Sequence, residues 1–408
     1  MKMCDVLIIG GGPSGAIAGA NLAQKGFSVE IIEKLDFPRF VIGESLLPHC
    51  NAILAKNNLL DRITKQDYMF KPGAIFENEK KEYERYDFRL NIGEPHNTSF
   101  QVKREEFDDE LLKGASDFGA NVQHGVEVID YNQDENIVTT KDRDGKEEQY
   151  KAKFVLDASG YGRVLPQILD LEIPSELKPR KAIFTRIDND IRAEGELAGY
   201  ITIFIHGDND AWIWVIPFAD GTTSVGVVCE DEYYDKMNMT PEEFWDYIIY
   251  NDVNAKERFK NATKLQEVGK IDGYSSNVKT MFGKGFALAG NATEFLDPVF
   301  SSGVTLALVS GDMAADLIAR ELNGEEVDWQ KEYQDEMMIG VDVFRAFVLA
   351  WYDGRLHEIF FSAPKKEMFT RAISSILSGY VWNTKNVFVE KSDEKIDLLI
   401  KMINAETN

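Results

Sequence analysis

The first 33 residues constrain this chain more than any other stretch. Asp5-Val6-Leu7-Ile8-Ile9 is a short apolar run that stops at three glycines, the pattern of a parallel strand buried on both faces. Gly10, Gly12 and Gly15 follow as G-x-G-x-x-G: a tight turn, a close backbone approach to a diphosphate, and close packing of helix on strand. A helix is expected from about Pro13 to Lys25, opened by Pro13 and Ser14, with its free N-terminal amides aimed at the phosphates. Ser28 to Glu33 supplies a second strand ending in an acid, and Glu33, with Lys34 beside it, lies where a carboxylate accepts hydrogen bonds from ribose hydroxyls. A lone glycine triplet is weak evidence; strand, turn, helix, strand and acid in register are strong. The acid disfavours a 2'-phosphate and leaves NAD and FAD both open.

A chain of 408 residues is long for one compact core, so about two or three subdomains around a shared site are expected. The formal charge of -24 repels a polyanion over most of the surface, which argues against nucleic acid and an anionic membrane as partners. The N-terminus carries no basic segment followed by an apolar one, and no apolar run reads as a bilayer span, so a cytoplasmic protein without a transmembrane segment is expected. Three scattered cysteines, Cys4, Cys50 and Cys229, suggest neither a disulfide framework nor a zinc site, and the five histidines form no metal pattern.

Further along, Arg104 precedes a helix opened by clustered acids, and residues 121–155 alternate as strands and turns, with Asp142-Arg143-Asp144-Gly145 as a hairpin signal. That meander ends at Asp157-Ala158-Ser159-Gly160, a second strand-to-glycine junction. Strand-like runs at Ala182–Ile187, Tyr200–Ile205, Ala211–Pro217 and Thr222–Cys229 suggest an inserted antiparallel sheet, and residues 241–270 read as helix with a solvated basic face. A third strand reaches Gly290-Asn291, a long apolar helix runs from Val304 to about Leu322, and the last 80 residues read as helical and aromatic-rich. The expected fold is α/β: a Rossmann-like dinucleotide-binding domain, βαβ with an added meander, plus an inserted antiparallel-sheet substrate domain and a helical C-terminal segment. The boundaries expected are 1–78, 100–180 and 266–330 for a discontinuous dinucleotide-binding domain, 79–99 and 181–265 for the sheet domain, and 331–408 for the C-terminal segment.

From about residue 4 to 360 the chain resembles the glutathione-reductase-like FAD proteins, the monooxygenase superfamily, and within them the flavin-dependent halogenases. The general features are the Gly10/Gly12/Gly15/Glu33 unit, Arg104 in Gln101-Val102-Lys103-Arg104, the Asp157–Gly160 junction and the Gly290-Asn291 junction. The narrower ones are Phe40-x-x-Gly43-Glu44-Ser45-x-x-Pro48, which resembles the flavin-contacting strap of halogenases; Trp212-x-Trp214-x-Ile216-Pro217, similar to their W-x-W-x-I-P signature; and Phe295-x-x-Pro298-x-x-Ser301-x-Gly303, similar to their second signature. Lys71, in Phe70-Lys71-Pro72-Gly73-Ala74, falls where that family carries its essential lysine. The family pattern departs at Asn291, where an aspartate is usual; an amide still accepts from a ribityl hydroxyl and also donates.

The resemblance implies that reduced FAD, supplied by a separate flavin reductase, and O2 oxidise halide to hypohalous acid, which reaches a lysine beside the substrate. Lys71 is then the catalytic residue, either as an ammonium donating to the oxidant or as a free amine that is halogenated. FAD contacts fall to Gly10, Gly12, Pro13, Ser14, Gly15, Glu33 and Lys34, to Gly43, Glu44, Ser45, Arg104 and Val128, to Ala158, Ser159 and Gly160, and to Asn291, Pro298, Gly303 and Val304. Halide binding falls to backbone amides around Ser302 and Gly303. Trp212, Trp214 and Phe300 lie on the substrate side, and Phe300 favours an uncharged phenol- or pyrrole-like aromatic, either free or tethered to a carrier protein. The same scaffold also serves aromatic hydroxylases and C=C reductases of the geranylgeranyl-reductase type, and a flavin-binding protein without turnover is a further alternative.

Overall fold

The computed structural model describes residues 1–207, 209–273, 275–294, 296–362 and 366–407. Its first sheet grows from the N-terminal unit. Strand Lys2–Ile9 pairs in parallel with Val29–Glu33 on one side and Glu147–Asp157 on the other. Strands Asn121–His124 and Phe286–Leu288 extend the parallel layer at either flank. The N-terminal half of Glu147–Asp157 also pairs with Ile137–Asp142, which pairs in turn with Val126–Asn132. That is the meander, and it turns at Gly145, whose φ of 82° suits the expected hairpin. Helix Pro13–Gln24 packs between this sheet and the long helix Ser302–Leu322, and Arg104–Asp117 lies against it as well.

The long helix qualifies the sequence reading that nothing could span a bilayer. By length and composition it is apolar enough, but 78% of its most apolar stretch is buried inside the protein, so its hydropathy is that of a core helix.

The second sheet has the order Thr263–Lys264, Arg180–Asp188, Thr223–Glu230, Ala211–Pro217, Ile201–His206, Gly73–Glu77, Tyr83–Asp87. Its pairs are antiparallel apart from Ile201–His206 on Gly73–Glu77, which run parallel. Alternation places Trp212, Trp214 and Ile216 of the Ala211–Pro217 strand toward the main core, and Ile213 and Val215 toward a second core. The back of that second core is closed by helix Pro241–Asn251 through Phe244, Trp245 and Ile248. Thr240 and Glu243 form a reciprocal capping box at its start.

Two sequence expectations change here. Helix does not run through 241–270: it ends at Arg258, and Thr263–Lys264 and Gly269–Asp272 pair with Arg180–Asp188. An exposed edge supplied partners that local propensity does not reveal. For the same reason Gly73–Glu77 and Gly269–Asp272, grouped by sequence with the nucleotide-binding part, hydrogen-bond into the second sheet.

The C-terminal helices Glu336–Tyr352, Arg355–Phe361, Glu367–Leu377 and Ser392–Thr407 cover the junction of the two sheets. Phe76, Phe300, Phe347, Trp351 and Phe360 meet there in one buried aromatic cluster.

Candidate active site

Backbone geometry forms the nucleotide end. Gly10 has φ of 98°, and a Cβ on it would lie 2.5 Å from the Ala158 carbonyl oxygen. A Cβ on Gly15 would lie 2.0 Å from the Gly10 carbonyl oxygen, so only glycine lets the helix pack this close to the turn. Helix Pro13–Gln24 starts after Gly12 with no side-chain cap, leaving its first amides available to an anion. The buried Glu33 carboxylate accepts from Gly11 N at 2.8 Å and Leu35 N at 2.9 Å, which ties the second strand to the glycine turn while lone pairs remain for ribose.

Arg39 joins this end and was missed by sequence reasoning. Its Nη2 sits 3.4 Å from where a Gly12 Cβ would be, a cation over the diphosphate turn. The fully buried Asp108 holds it, accepting from Arg39 Nη1 at 2.9 Å and from Arg104 Nε and Nη2 at 2.7 and 2.9 Å. The only sequence signal was the i,i+4 spacing of Arg104 and Asp108. Asp108→Ala should therefore release both arginines and weaken FAD binding by about tenfold to a hundredfold, since removing one partner of a buried pair leaves the other unpaired. Flavin fluorescence titration checks this; an unchanged dissociation constant contradicts it.

The strap Ile42–Ser45 crosses the cavity mouth. Arg104 Nη1 donates to the Ile42 and Gly43 carbonyls at 3.1 and 3.3 Å, and Val102 N donates to Glu44 O at 2.7 Å. Glu44, 2% exposed, forms an ion pair at 2.7 Å with Arg186 of the second sheet, so the strap is fastened to that sheet and to helix Arg104–Asp117. Burial pushes the Glu44 carboxyl above the usual range, and Arg186 opposes that push.

Beneath the strap lies a cavity of about 380 Å³. Gly10, Gly12, Pro13, Ser14, Glu33 and Lys34 line one end. Gly43, Glu44, Ser45 and Arg104 line its roof, with Ala158, Ser159 and Gly160 beside the glycine turn. Asn291, Pro298, Gly303, Val304, Trp212 and Trp214 also line the cavity, and Asn291 follows Gly290, whose Cβ position would lie 3.3 Å from the Ser14 Cβ. Gly15 packs behind the turn, while Val128 lies in the meander, paired with Thr140, away from the cavity wall. Ser302 and Phe300 are buried behind the wall, and Phe295 falls outside the described residues. Ser14 Oγ and Ser45 Oγ are buried at the cavity wall with no hydrogen-bond partner. Buried hydroxyls are normally satisfied, so two orphans facing one elongated cavity fit a polar ligand that spans it. The glycine cradle, Glu33 and these hydroxyls together suit FAD.

Asp297 accepts from Val299 N at 3.0 Å, Ser301 adopts a left-handed φ of 57°, and the long helix begins at Ser302. Gly303 and Val304 in its first turn, where amides have no intrahelical partner, line the cavity. Trp212 and Trp214 line the same cavity from one side of their strand, ring centroids 6.1 Å apart.

Lys71 is 1% exposed and does not line the cavity. Its Nζ donates to Leu46 O at 2.8 Å, one residue beyond the pocket-lining Ser45, and lies 5.2 Å from the Phe88 ring centroid. It is no surface lysine. Burial lowers its pKa to about 7, so the neutral amine is abundant near neutral pH. An unfolded lysine keeps its proton up to about 10.5, so burial costs most below pH 7, and the cost fades as pH rises through 10.5. Lys71→Met should accordingly be more stable than wild type near pH 7, with the difference in Tm shrinking toward about pH 9. A pH-independent difference contradicts that titration.

One cluster escaped the sequence reading of the histidines. Among the described residues Glu79, His206 and Asp252 bring their ligand atoms within 4.8 Å of one another. His206 Nδ1 lies 3.2 Å from Asp252 and 3.3 Å from Glu79, so the three are accounted for by contacts among themselves.

The chain is similar to known proteins in sequence and in fold. The family model described as FAD binding domain matches residues 3–337. A 1H-pyrrole-2-carbonyl-(peptidyl-carrier protein) chlorinase of Pseudomonas fluorescens is 29% identical, the match covering 94% of this chain and 91% of that protein. The corresponding brominase of Pseudoalteromonas luteoviolacea is 30% identical, covering 81% and 80%. Among solved structures, a flavoprotein/dehydrogenase from Cytophaga hutchinsonii is 41% identical with a TM-score of 0.95, over 100% of both chains. A flavin-dependent brominase is 26% identical with a TM-score of 0.85, over 99% of this chain and 100% of that one.

Proposed function

The chain belongs to the FAD-binding-domain family and, within it, to the flavin-dependent halogenases, and from that premise we propose that Lys71 delivers an oxidised halogen to an electron-rich aromatic substrate. The observation that carries this reading is Lys71 itself: a buried amine, depressed to about 7, one residue beyond the cavity-lining strap.

When bound, reduced FAD supplies the electrons with which O2 is activated. The chain's own residues do the rest. The glycine turn, Arg39 and Glu33 anchor the nucleotide end. The amides opening the long helix hold halide at the other end, where free N–H groups and the helix dipole favour an anion. Trp212 and Trp214 line the same cavity, and their bulk would keep an organic substrate from the flavin so that halide meets the oxidant. Hypohalous acid then passes the strap to Lys71. The neutral amine attacks the halogen, an N–X bond forms, the O–X bond breaks and hydroxide leaves with the amine proton as water. Transfer of the halogen to an aromatic carbon, whose proton is lost, returns the amine.

An uncharged Phe300, packed with Phe76, Trp351 and Phe360, favours a flat uncharged ring, phenol- or pyrrole-like. The relatives named for carrier-bound pyrroles support a tethered acyl-pyrrole as one form of it. A separate flavin reductase is the proposed electron source, since no second G-x-G-x-x-G occurs in the chain. The test is bromination of monochlorodimedone and a phenol panel with reductase-supplied FADH2, O2 and bromide. Halide-dependent product supports the reading. Flavin reduction by NADPH without a partner reductase contradicts it and favours a C=C reductase.

A further inference from the structure

The loop that leads into the cavity-lining start of the long helix is held by a chain of hydrogen bonds that are buried or partly buried. Asp297, 2% exposed, accepts from Val299 N on Oδ1 at 3.0 Å and from the Tyr352 hydroxyl on Oδ2 at 2.9 Å. The same hydroxyl accepts the indole N–H of Trp212 at 2.9 Å. Tyr352 ends helix Glu336–Tyr352 of the C-terminal segment, so three parts of the chain far apart in sequence meet at one oxygen. The Arg180 guanidinium stacks on its ring, 3.3 Å from the centroid, placing a positive charge beside the carboxylate. Packing alone does not require this arrangement. A phenylalanine would fill the same volume, and a buried hydroxyl, indole N–H and carboxylate each cost free energy unless all are paired.

Resting on the halogenase reading, we propose that Tyr352 is a positioning residue for halide: its hydroxyl locks the tryptophan strand to the Asp297–Ser301 loop and so fixes the amides that open the long helix. Tyr352→Phe keeps the ring and the Arg180 stack while removing both hydrogen bonds. Asp297→Asn should behave alike, because an amide has one acceptor oxygen where two donors, Val299 N–H and Tyr352 O–H, must be met. Tyr380→Phe is the control: its buried hydroxyl donates to His96 O and has no link to the loop.

The experiment is bromide titration of the FAD-loaded, non-turning-over protein, followed by the amide resonances of Val299–Gly303 and the indole N–H resonance that Trp212→Phe removes. Tyr352→Phe and Asp297→Asn should shift these resonances, leave those of Gly10–Gly15 in place, and raise the bromide midpoint about tenfold, the equivalent of one lost hydrogen bond. In turnover the bromide KM should rise by a similar factor, with kcat at saturating bromide changing less than about threefold. Midpoints within about twofold of wild type, the same rise in Tyr380→Phe, or no bromide response in wild type would each overturn the proposal. If bromide titrates as expected and no halogenated product forms, positioning stands and the halogenase reading fails.

Discussion

Replacing Lys71 with methionine is expected to lower halogenation on the order of a thousandfold while FAD affinity stays within about threefold of wild type. The separation follows from geometry. Lys71 lies outside the cavity wall, and its polar contact is to the Leu46 carbonyl, so the nucleotide end loses nothing with the amine. Methionine matches its length and suits the buried setting beside Phe88. The unpaired Leu46 carbonyl costs about 1–3 kcal/mol, which removal of a desolvated amine offsets. Oxygen consumption with reduced FAD should continue, because Lys71 does not line the cavity. Product assays beside flavin titration decide the matter. Wild-type halogenation in Lys71→Met contradicts the assigned role, and loss of FAD together with activity would mean the lysine is structural.

Gly15→Val is expected to yield protein that retains no FAD through purification, with affinity at least about a hundredfold lower, roughly 3 kcal/mol. A Cβ at that position would sit 2.0 Å from the Gly10 carbonyl oxygen, a backbone atom that no rotamer change can move. The helix must retreat, and it carries the uncapped amides proposed to hold the diphosphate. It also packs on the long helix, so Tm should fall too. Gly26→Ala is the control, since nothing lies within 4 Å of its Cβ position, although its φ of 87° adds modest strain. Flavin absorbance retained by Gly15→Val at wild-type occupancy would contradict the cradle.

What was legible in the sequence was what the chain encodes locally. The glycine unit, the Asp142–Gly145 turn and the alternation placing Trp212 beside Trp214 each depend on residues a few positions apart. The clamps were not legible. Glu44 meets Arg186 across 142 positions, and Tyr352 meets Trp212 across 140. Asp108 looked like one of several acids at a helix start, and only tertiary packing makes it the anchor of Arg39 and Arg104. The strands at Thr263–Lys264 and Gly269–Asp272 failed for a related reason, since edge pairing overrode a helical pattern. Lys71 was found by resemblance, but its full burial and lowered pKa required the fold.

The chemistry is tested most directly by mass analysis of products formed when the wild-type protein, reductase-supplied reduced FAD, O2 and bromide meet a mixed panel of phenols and carrier-bound acyl-pyrroles. Replacement of an aromatic hydrogen by bromine, dependent on bromide and absent in Lys71→Met, is the expected result. Oxygen insertion into the ring in place of bromine, or a reduced double bond, would contradict it.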